Sequence, residues 1–469
     1  MAYHQFHPSI LRMNDIRGVV GETLFEKDAY VLGQCIGTIL QGLVDDSKIV
    51  VGYDGRLHSP LLRDAIVKGL QATGQHVILV GMGPTPLINF AERYLGAQGA
   101  IMITGSHNPA EFNGFKISLQ EKSLMADDIY ALGKMACSGV FATGKGSVDT
   151  VSVQQPYIDM LLKDFTAFYG KGRPLTVAWD PGNGAAGDVL SALITELPGT
   201  HHVINGTVDG TFPNHHPDPT VEENLAQLKD LVREKKCDVG IGFDGDGDRI
   251  GVLDSQGTVL WGDQLLLFYG EEVLAHKPGS TIIADVKASQ TLFDELTRQG
   301  GHPIMWKTGH SLIKAKMRET NALLAGEMSG HIFFKDRYFG FDDALYAALR
   351  LLGPLSLRDA SLAQWRERLP AVINTPEIRF TCDDTKKFKI VEDIKRRVRL
   401  THDNLIDIDG LRVIHPNGWW LLRASNTQNA LIARIEADTP ETLLCLQKEL
   451  QAYLARSGLN PFEEGTPSC

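Results

Sequence analysis

Apolar positions along the chain fall into short dense runs, separated by stretches with helical spacing. Residues 48–52 (Lys-Ile-Val-Val-Gly) read as a buried strand and Asp54-Gly55-Arg56 as a turn. Ser59-Pro60 then caps a predicted helix that ends near Gly74, and residues 76–80 form the next strand. That is one βαβ unit. Residues 99–103 continue it, and similar runs recur at 175–179, 238–243 and 280–285, each followed by a polar, glycine-rich loop. Parallel α/β units place functional loops at the carboxyl ends of their strands, which is where these loops fall. The pattern repeats roughly three times. Beyond about residue 367 the texture changes to α+β, with a strand at 430–437 and a last helix opened by Thr439-Pro440-Glu441. The predicted fold class is α/β, with three α/β domains at 1–152, 153–257 and 258–367 and a smaller C-terminal α+β domain at 368–469.

Composition narrows the function classes. The 469 residues exceed what one hydrophobic core supports, and 43% hydrophobic with 22% charged residues is ordinary for a globular protein. No apolar run approaches the ~18 residues that span a bilayer, and the first 14 residues lack the apolar stretch of a signal peptide, so the expectation is a cytoplasmic protein with no membrane partner. Six dispersed cysteines without a Cys-x-x-Cys pair argue against a zinc site or a disulfide framework. A net charge of −11 disfavours nucleic acid as a partner. Anionic small molecules then require locally basic loops.

The densest charge cluster is Asp244-Gly245-Asp246-Gly247-Asp248-Arg249, directly after a buried-looking strand. Carboxylates ~4 Å apart repel by roughly 4 kcal/mol at an effective dielectric near 20, so the cluster needs a cation or wide solvation. Hard oxygen ligands favour magnesium or calcium. A solvated acidic turn is the alternative. An EF-hand fails because Arg249 and Ser255 stand where Gly and Glu are required. Gly240-Ile241-Gly242-Phe243-Asp244-Gly245 matches a dinucleotide fingerprint only formally, since aspartates follow where pyrophosphate would bind. Residues 139–145 match the start of a phosphate-binding loop, but Gly146 replaces the required Ser or Thr.

Three other loops carry candidate chemistry. Thr104-Gly105-Ser106-His107-Asn108-Pro109, followed by Asn113-Gly114-Phe115-Lys116, offers a nucleophile, a proton carrier and a cation; a structural turn is the alternative. Gly326-Glu327-Met328-Ser329-Gly330-His331 suits sugar hydroxyls, which both donate and accept. Arg423-Ala424-Ser425-Asn426-Thr427 suits a phosphate dianion.

Together and in this order, the four loops resemble the α-D-phosphohexomutase family, on its bacterial phosphomannomutase/phosphoglucomutase branch. Further matches are Asp15-Ile16-Arg17-Gly18, Pro181-Gly182-Asn183-Gly184, Phe212-Pro213-Asn214-His215-His216-Pro217 and Lys307-Thr308-Gly309-His310. The resemblance spans the chain. It implies three topologically similar domains and a smaller mobile fourth around a central cleft. It also implies hexose phosphates as partners and exchange between their 1- and 6-positions through phospho-Ser106 and a hexose 1,6-bisphosphate intermediate. Mg²⁺ would sit between Ser106 and Asp244, Asp246 and Asp248. Arg17, His107, Lys116 and Arg249 are candidates for stabilising the transferring group, and Lys116, His310 and His331 for proton transfer or oxygen contacts. Glu327 and Ser329 would hold the sugar 3- and 4-hydroxyls, which mannose and glucose share, with Gly309 among the substrate contacts. Arg423, Ser425, Asn426 and Thr427, with Lys287, would grip the non-reacting phosphate.

Two departures from the family pattern stand out. Asn429 replaces a usual proline after the phosphate loop, and Asn14 a common aromatic before Asp-Ile-Arg-Gly. Competing expectations are a phosphoglucosamine mutase and a catalytically silent sugar-phosphate-binding regulator on the same scaffold. Met328 fits the mannose/glucose branch better. The oligomeric state is not legible.

Overall fold

The computed structural model describes residues 3–44, 47–383, 386–425 and 430–459. Its strands pair into four sheets. In the first, His76–Met82, Lys48–Tyr53 and Gly99–Ile103 run parallel, and Phe112–Leu119 returns antiparallel beside Gly99–Ile103. In the second, Gly199–Val203, Leu175–Asp180 and Val239–Phe243 run parallel, with Ile250–Asp254 returning. In the third, His302–Trp306, Thr281–Asp285 and Leu324–Gly326 run parallel, with Ile332–Phe334 returning. The four central strands therefore have the same spatial order in all three sheets. The antiparallel return strand did not show in the hydrophobic pattern; it forms because a short polar loop can only reverse the chain onto the neighbouring edge.

Every residue of Gly99–Ile103 and of Val239–Phe243 is buried, as expected for strands covered by helices on both faces. A continuous apolar core runs through the first three domains, taking in Phe90, Tyr157, Trp179, Phe243, Phe268 and Leu345. One local expectation needs correcting. Ser59 is not a cap: the helix spans Ser59–Ala72 with His58 flanking it, and the Ser59 hydroxyl donates to Asp54 Oδ1 at 2.6 Å. The dinucleotide decoy fails as expected, since Val239–Phe243 is followed by a strand rather than a helix.

The C-terminal domain is built differently. Its strands Ile373–Asn374, Ile378–Thr381, Leu405–Ile406, Leu411–His415, Gly418–Ala424 and Ala430–Ala437 pair antiparallel throughout. Helices Lys387–Val398 and Pro440–Ala455 close a separate core around Val391, Ile394, Trp420 and Leu450. Thr439 caps the last helix by accepting from Thr442 N. Arg412 ties this domain to the third: stacked 3.7 Å over Trp419, it donates to the carbonyls of Val286 at 2.8 Å and Ala288 at 2.7 Å.

Candidate active site

Three of the four loops occupy one topological position. The serine, acidic and Glu327 loops each join the third parallel strand of their sheet to its antiparallel return. Repeating one fold three times thus brings three chemically different loops to equivalent sheet ends.

Ser106 is 2% exposed and has φ of 48°, a left-handed backbone that costs a non-glycine residue on the order of 1 kcal/mol. Arg56 holds it there. Paired with Asp54 (Nε to Oδ2, 3.1 Å), the buried guanidinium donates to four loop carbonyls: Ser106 at 2.7 Å, Asn108 at 2.6 Å, Pro109 at 2.5 Å and Phe112 at 3.0 Å. Arg17 donates to the Gly105 carbonyl and to Asp15.

The acidic loop lies against this serine. Gly245 is required at the contact, because a Cβ there would sit 2.5 Å from the Ser106 carbonyl oxygen. Asp244 Oδ2 accepts from Ser106 Oγ at 3.1 Å, while its Oδ1 accepts from the backbone N–H of Asp248 (3.1 Å) and Arg249 (3.0 Å). Asp246 Oδ2 accepts from Thr85 Oγ1 at 2.5 Å and from Lys116 Nζ at 2.7 Å, and Lys116 also donates to Asp248. Carboxylate oxygens of Asp244, Asp246 and Asp248 lie within 4.8 Å of one another, and none of the three residues is exposed. Burial and the neighbouring carboxylates push Asp244 and Asp248 above the usual carboxylate range. Burial opposes it, yet Lys116 holds Asp246 below that range, and the aspartates in turn raise Lys116. Asp246 Oδ1 and Asp248 Oδ1 are buried and accept no hydrogen bond. An excess of buried anionic oxygen with unpartnered lone pairs fits a hard divalent cation.

A cavity of about 60 Å³ gathers Arg17, Ser106, His107, Lys116, Arg249, His310 and His331, together with Asn14 and Asp15. His107 Nδ1 lies 3.3 Å from Ser106 Oγ. Burial, then the nearby Arg249, pushes His107 well below its ordinary pKa; burial and Lys314 do the same to His310. Both imidazoles are therefore neutral. His331 Nε2 accepts from Arg249 Nε at 3.0 Å, leaving its hydrogen on Nδ1, 3.0 Å from Asp342 Oδ2.

Glu327 and Ser329 adjoin this cavity through the Lys307–His310 segment. Glu327 Oε1 accepts from Gly309 N, and Ser329 Oγ donates to Glu327 Oε2 at 3.4 Å. A further cluster links the third and fourth domains. Lys287 Nζ lies 3.1 Å from Glu377 and 3.7 Å from Asp285; Arg423 donates to Asp409 at 3.0 Å, and Asp409 accepts from Thr308 N at 3.1 Å. Burial opposes it, but Lys287 and Arg379 hold Glu377 down at about 2, whereas burial and, after the opposing Lys287, the Glu327 charge push Asp285 up to about 6. Ser425 is buried beside Arg423. Asn426, Thr427 and Asn429 lie outside the described residues.

Reading the sequence missed Arg56, Thr85, Asp342, Asp285 and Asp409. Arg56 had a signal: it follows a strand end, by the rule that found the other loops. Thr85 acts through Asp246, far along the chain, whereas Asp342, Asp285 and Asp409 stand near His331, Lys287 and Arg423 in sequence but in no motif that marks them.

Three like-built α/β domains, a fourth of different construction and a serine facing a buried acidic loop are the arrangement of an intramolecular phosphotransferase. Family domains match along the chain: phosphoglucomutase/phosphomannomutase alpha/beta/alpha domain I over residues 9–130, domain II over 155–257, domain III over 261–372 and the C-terminal domain over 377–452. A phosphomannomutase/phosphoglucomutase of Pseudomonas aeruginosa is 44% identical over 437 residues, 93% of each chain. A phosphoglucomutase of Neisseria gonorrhoeae is 38% identical over 95% of this chain and 96% of its own. The crystal structure of a phosphoglucomutase/phosphomannomutase family protein from Burkholderia thailandensis superposes with a TM-score of 0.89 at 38% identity, covering 97% of this chain and 99% of that one. The chain belongs to the phosphoglucomutase/phosphomannomutase family.

Proposed function

We propose that this enzyme interconverts the 1- and 6-phosphates of mannose and glucose through phospho-Ser106, with a hexose 1,6-bisphosphate as the intermediate. The observation that carries the reading is the strained, buried Ser106 with its Oγ 3.1 Å from Asp244, in a cleft lined by Arg17, Lys116 and Arg249. Names of relatives in Pseudomonas and Neisseria support the substrate class. The reading divides the chain at 1–152, 153–257, 258–367 and 368–469 and places its work in the cytoplasm, where hexose phosphates are made and used.

In the first half-reaction a sugar hydroxyl attacks the phosphorus of phospho-Ser106. The O–P bond to the sugar forms, the Ser106 Oγ–P bond breaks with its electron pair left on Oγ, and the hydroxyl proton passes by way of a neutral imidazole to Ser106 Oγ, which ends as the hydroxyl. His107, on Ser106 Oγ, and His310, stacked 5.6 Å from His331, are the two carriers the geometry offers. Lys116, Arg17 and Arg249 stabilise the charge on the transferring oxygens. Lys116 is held charged by Asp246 and Asp248 and acts as a cation rather than a base. Asp244, Asp246 and Asp248 with phospho-Ser106 would hold Mg²⁺, which when bound supplies charge neutralisation and polarisation at phosphorus. Glu327 and Ser329 orient the sugar; Lys287, Arg423 and Ser425, with Asn426 and Thr427, hold the distal phosphate. The bisphosphate then presents its other phosphate, and Ser106 recovers a phosphoryl group.

The test is intact-mass spectrometry after incubation with glucose 1,6-bisphosphate. Wild-type protein should gain one phosphoryl group, Ser106→Ala none, and turnover of mannose and glucose 1-phosphates should exceed that of glucosamine 1-phosphate. An unmodified wild type, or a preference for the amino sugar, overturns the reading.

A further inference from the structure

Away from the cleft, the C-terminal domain converges three groups that the reaction does not use. His402 follows the helix Lys387–Val398, His415 ends the strand Leu411–His415, and Glu449 lies within the helix Pro440–Ala455. His402 Nε2 is 3.2 Å from Glu449 Oε1, and His415 Nε2 is 3.2 Å from Glu449 Oε2. The rings meet at 5.3 Å between centroids, and the three potential ligand atoms lie within 4.8 Å of one another.

The carboxylate does not satisfy both nitrogens. His415 Nε2 is buried and makes no hydrogen bond, its approach to Glu449 being misdirected for one. His402 is oriented by its other ring nitrogen: Thr401 Oγ1 lies 2.8 Å from His402 Nδ1, 2.9 Å from the Tyr453 hydroxyl and 3.1 Å from the Val398 carbonyl. His402 Nε2 then faces a carboxylate oxygen of Glu449. Each nitrogen lies 3.2 Å from a different oxygen of Glu449, close to the ~3.3 Å ligand–ligand separation of a tetrahedral ion with bonds of about 2.0–2.1 Å. Outer contacts are also in place, since Trp420 Nε1 donates to Glu449 Oε1 at 3.1 Å and Thr401 orients His402.

We propose that His402, His415 and Glu449 bind a divalent transition-metal ion of the zinc class, with a water in the fourth position. Two imidazoles and one carboxylate select zinc, cobalt or nickel over magnesium. The ion would clamp the last helix to the end of the strand Leu411–His415, independently of the acidic loop.

The test is equilibrium dialysis of the full chain against Zn²⁺ in excess Mg²⁺, which keeps the acidic loop supplied. Wild type should retain one more Zn²⁺ per chain than His402→Gln or His415→Gln, and Zn²⁺ should raise the melting temperature of wild type only. Co²⁺ in place of Zn²⁺ should give the visible absorption of a four-coordinate site and quench Trp420 emission. Equal Zn²⁺ retention by wild type and both glutamine variants overturns the proposal. So does loss of the ion only on replacing Cys445, which is exposed one helical turn before Glu449.

Discussion

The serine and acidic loops hold charge in one way, the Lys287–Arg423 cluster in another. At the acidic loop three carboxylates are fully buried, backbone N–H groups fix Asp244, and two oxygens accept no hydrogen bond. Negative charge there exceeds the cations that meet it, Lys116 on Asp246 and Asp248 and Arg249 3.9 Å from Asp244. In the cluster between the third and fourth domains the cations already meet carboxylates, Lys287 with Glu377, which Arg379 shares, and Arg423 with Asp409. Charge there is balanced and exchangeable: a phosphate dianion can replace a carboxylate without leaving a cation bare. Fixed, unbalanced charge suits a step that stabilises a transferring group, because nothing must reorganise as charge develops. Paired charge suits reversible binding, where an unpaired buried cation would cost several kcal/mol.

Four changes would break or sharpen this contrast. Asp246→Asn removes fixed charge without volume and should lower kcat by roughly 10²–10³-fold, with the Mg²⁺ requirement shifted upward in a rate titration. Near-normal turnover in chelator would erase the distinction between the two regions. Arg56→Lys replaces a fork on four carbonyls by a point charge. It should cost about 10–100-fold in kcat with KM within about threefold, since Ser106 loses its position rather than its chemistry. A rise in KM alone would show that the fork serves binding instead. Arg423→Lys should do the reverse, raising KM for hexose phosphate about tenfold with little change in kcat; a matching fall in kcat would place Arg423 among the fixed charges.

The smallest effect concerns pH. Asp285 is pushed up to about 6, above the ~3.9 of an unfolded aspartate. Its contribution to stability is therefore full below about pH 4 and lost as pH rises through 6. Between pH 7 and pH 5 the wild type should gain about 1 kcal/mol relative to Asp285→Asn, read from denaturant midpoints at each pH. A flat difference would mean that Lys287 keeps Asp285 ionised throughout.

What the sequence by itself determined was the set of loops, their order and the strand ends that carry them. Alternating apolar runs and glycine-rich turns are local signals, and Asp244-Gly245-Asp246-Gly247-Asp248 announces an oxygen-rich site wherever it folds. The changed texture of the C-terminal region was equally local. Only the tertiary structure decided who meets whom. Arg56 reaches the carbonyls of the serine loop from 50 or more residues away, Lys116 meets Asp246 and Asp248 across two domains, and Asp342 comes to lie beside His331. The equivalence of three loops on three sheets also appears only once the return strands pair. A hydrogen bond is specific in space and indifferent to separation along the chain, so a short window of sequence shows the donor and acceptor types but not the partner that satisfies them.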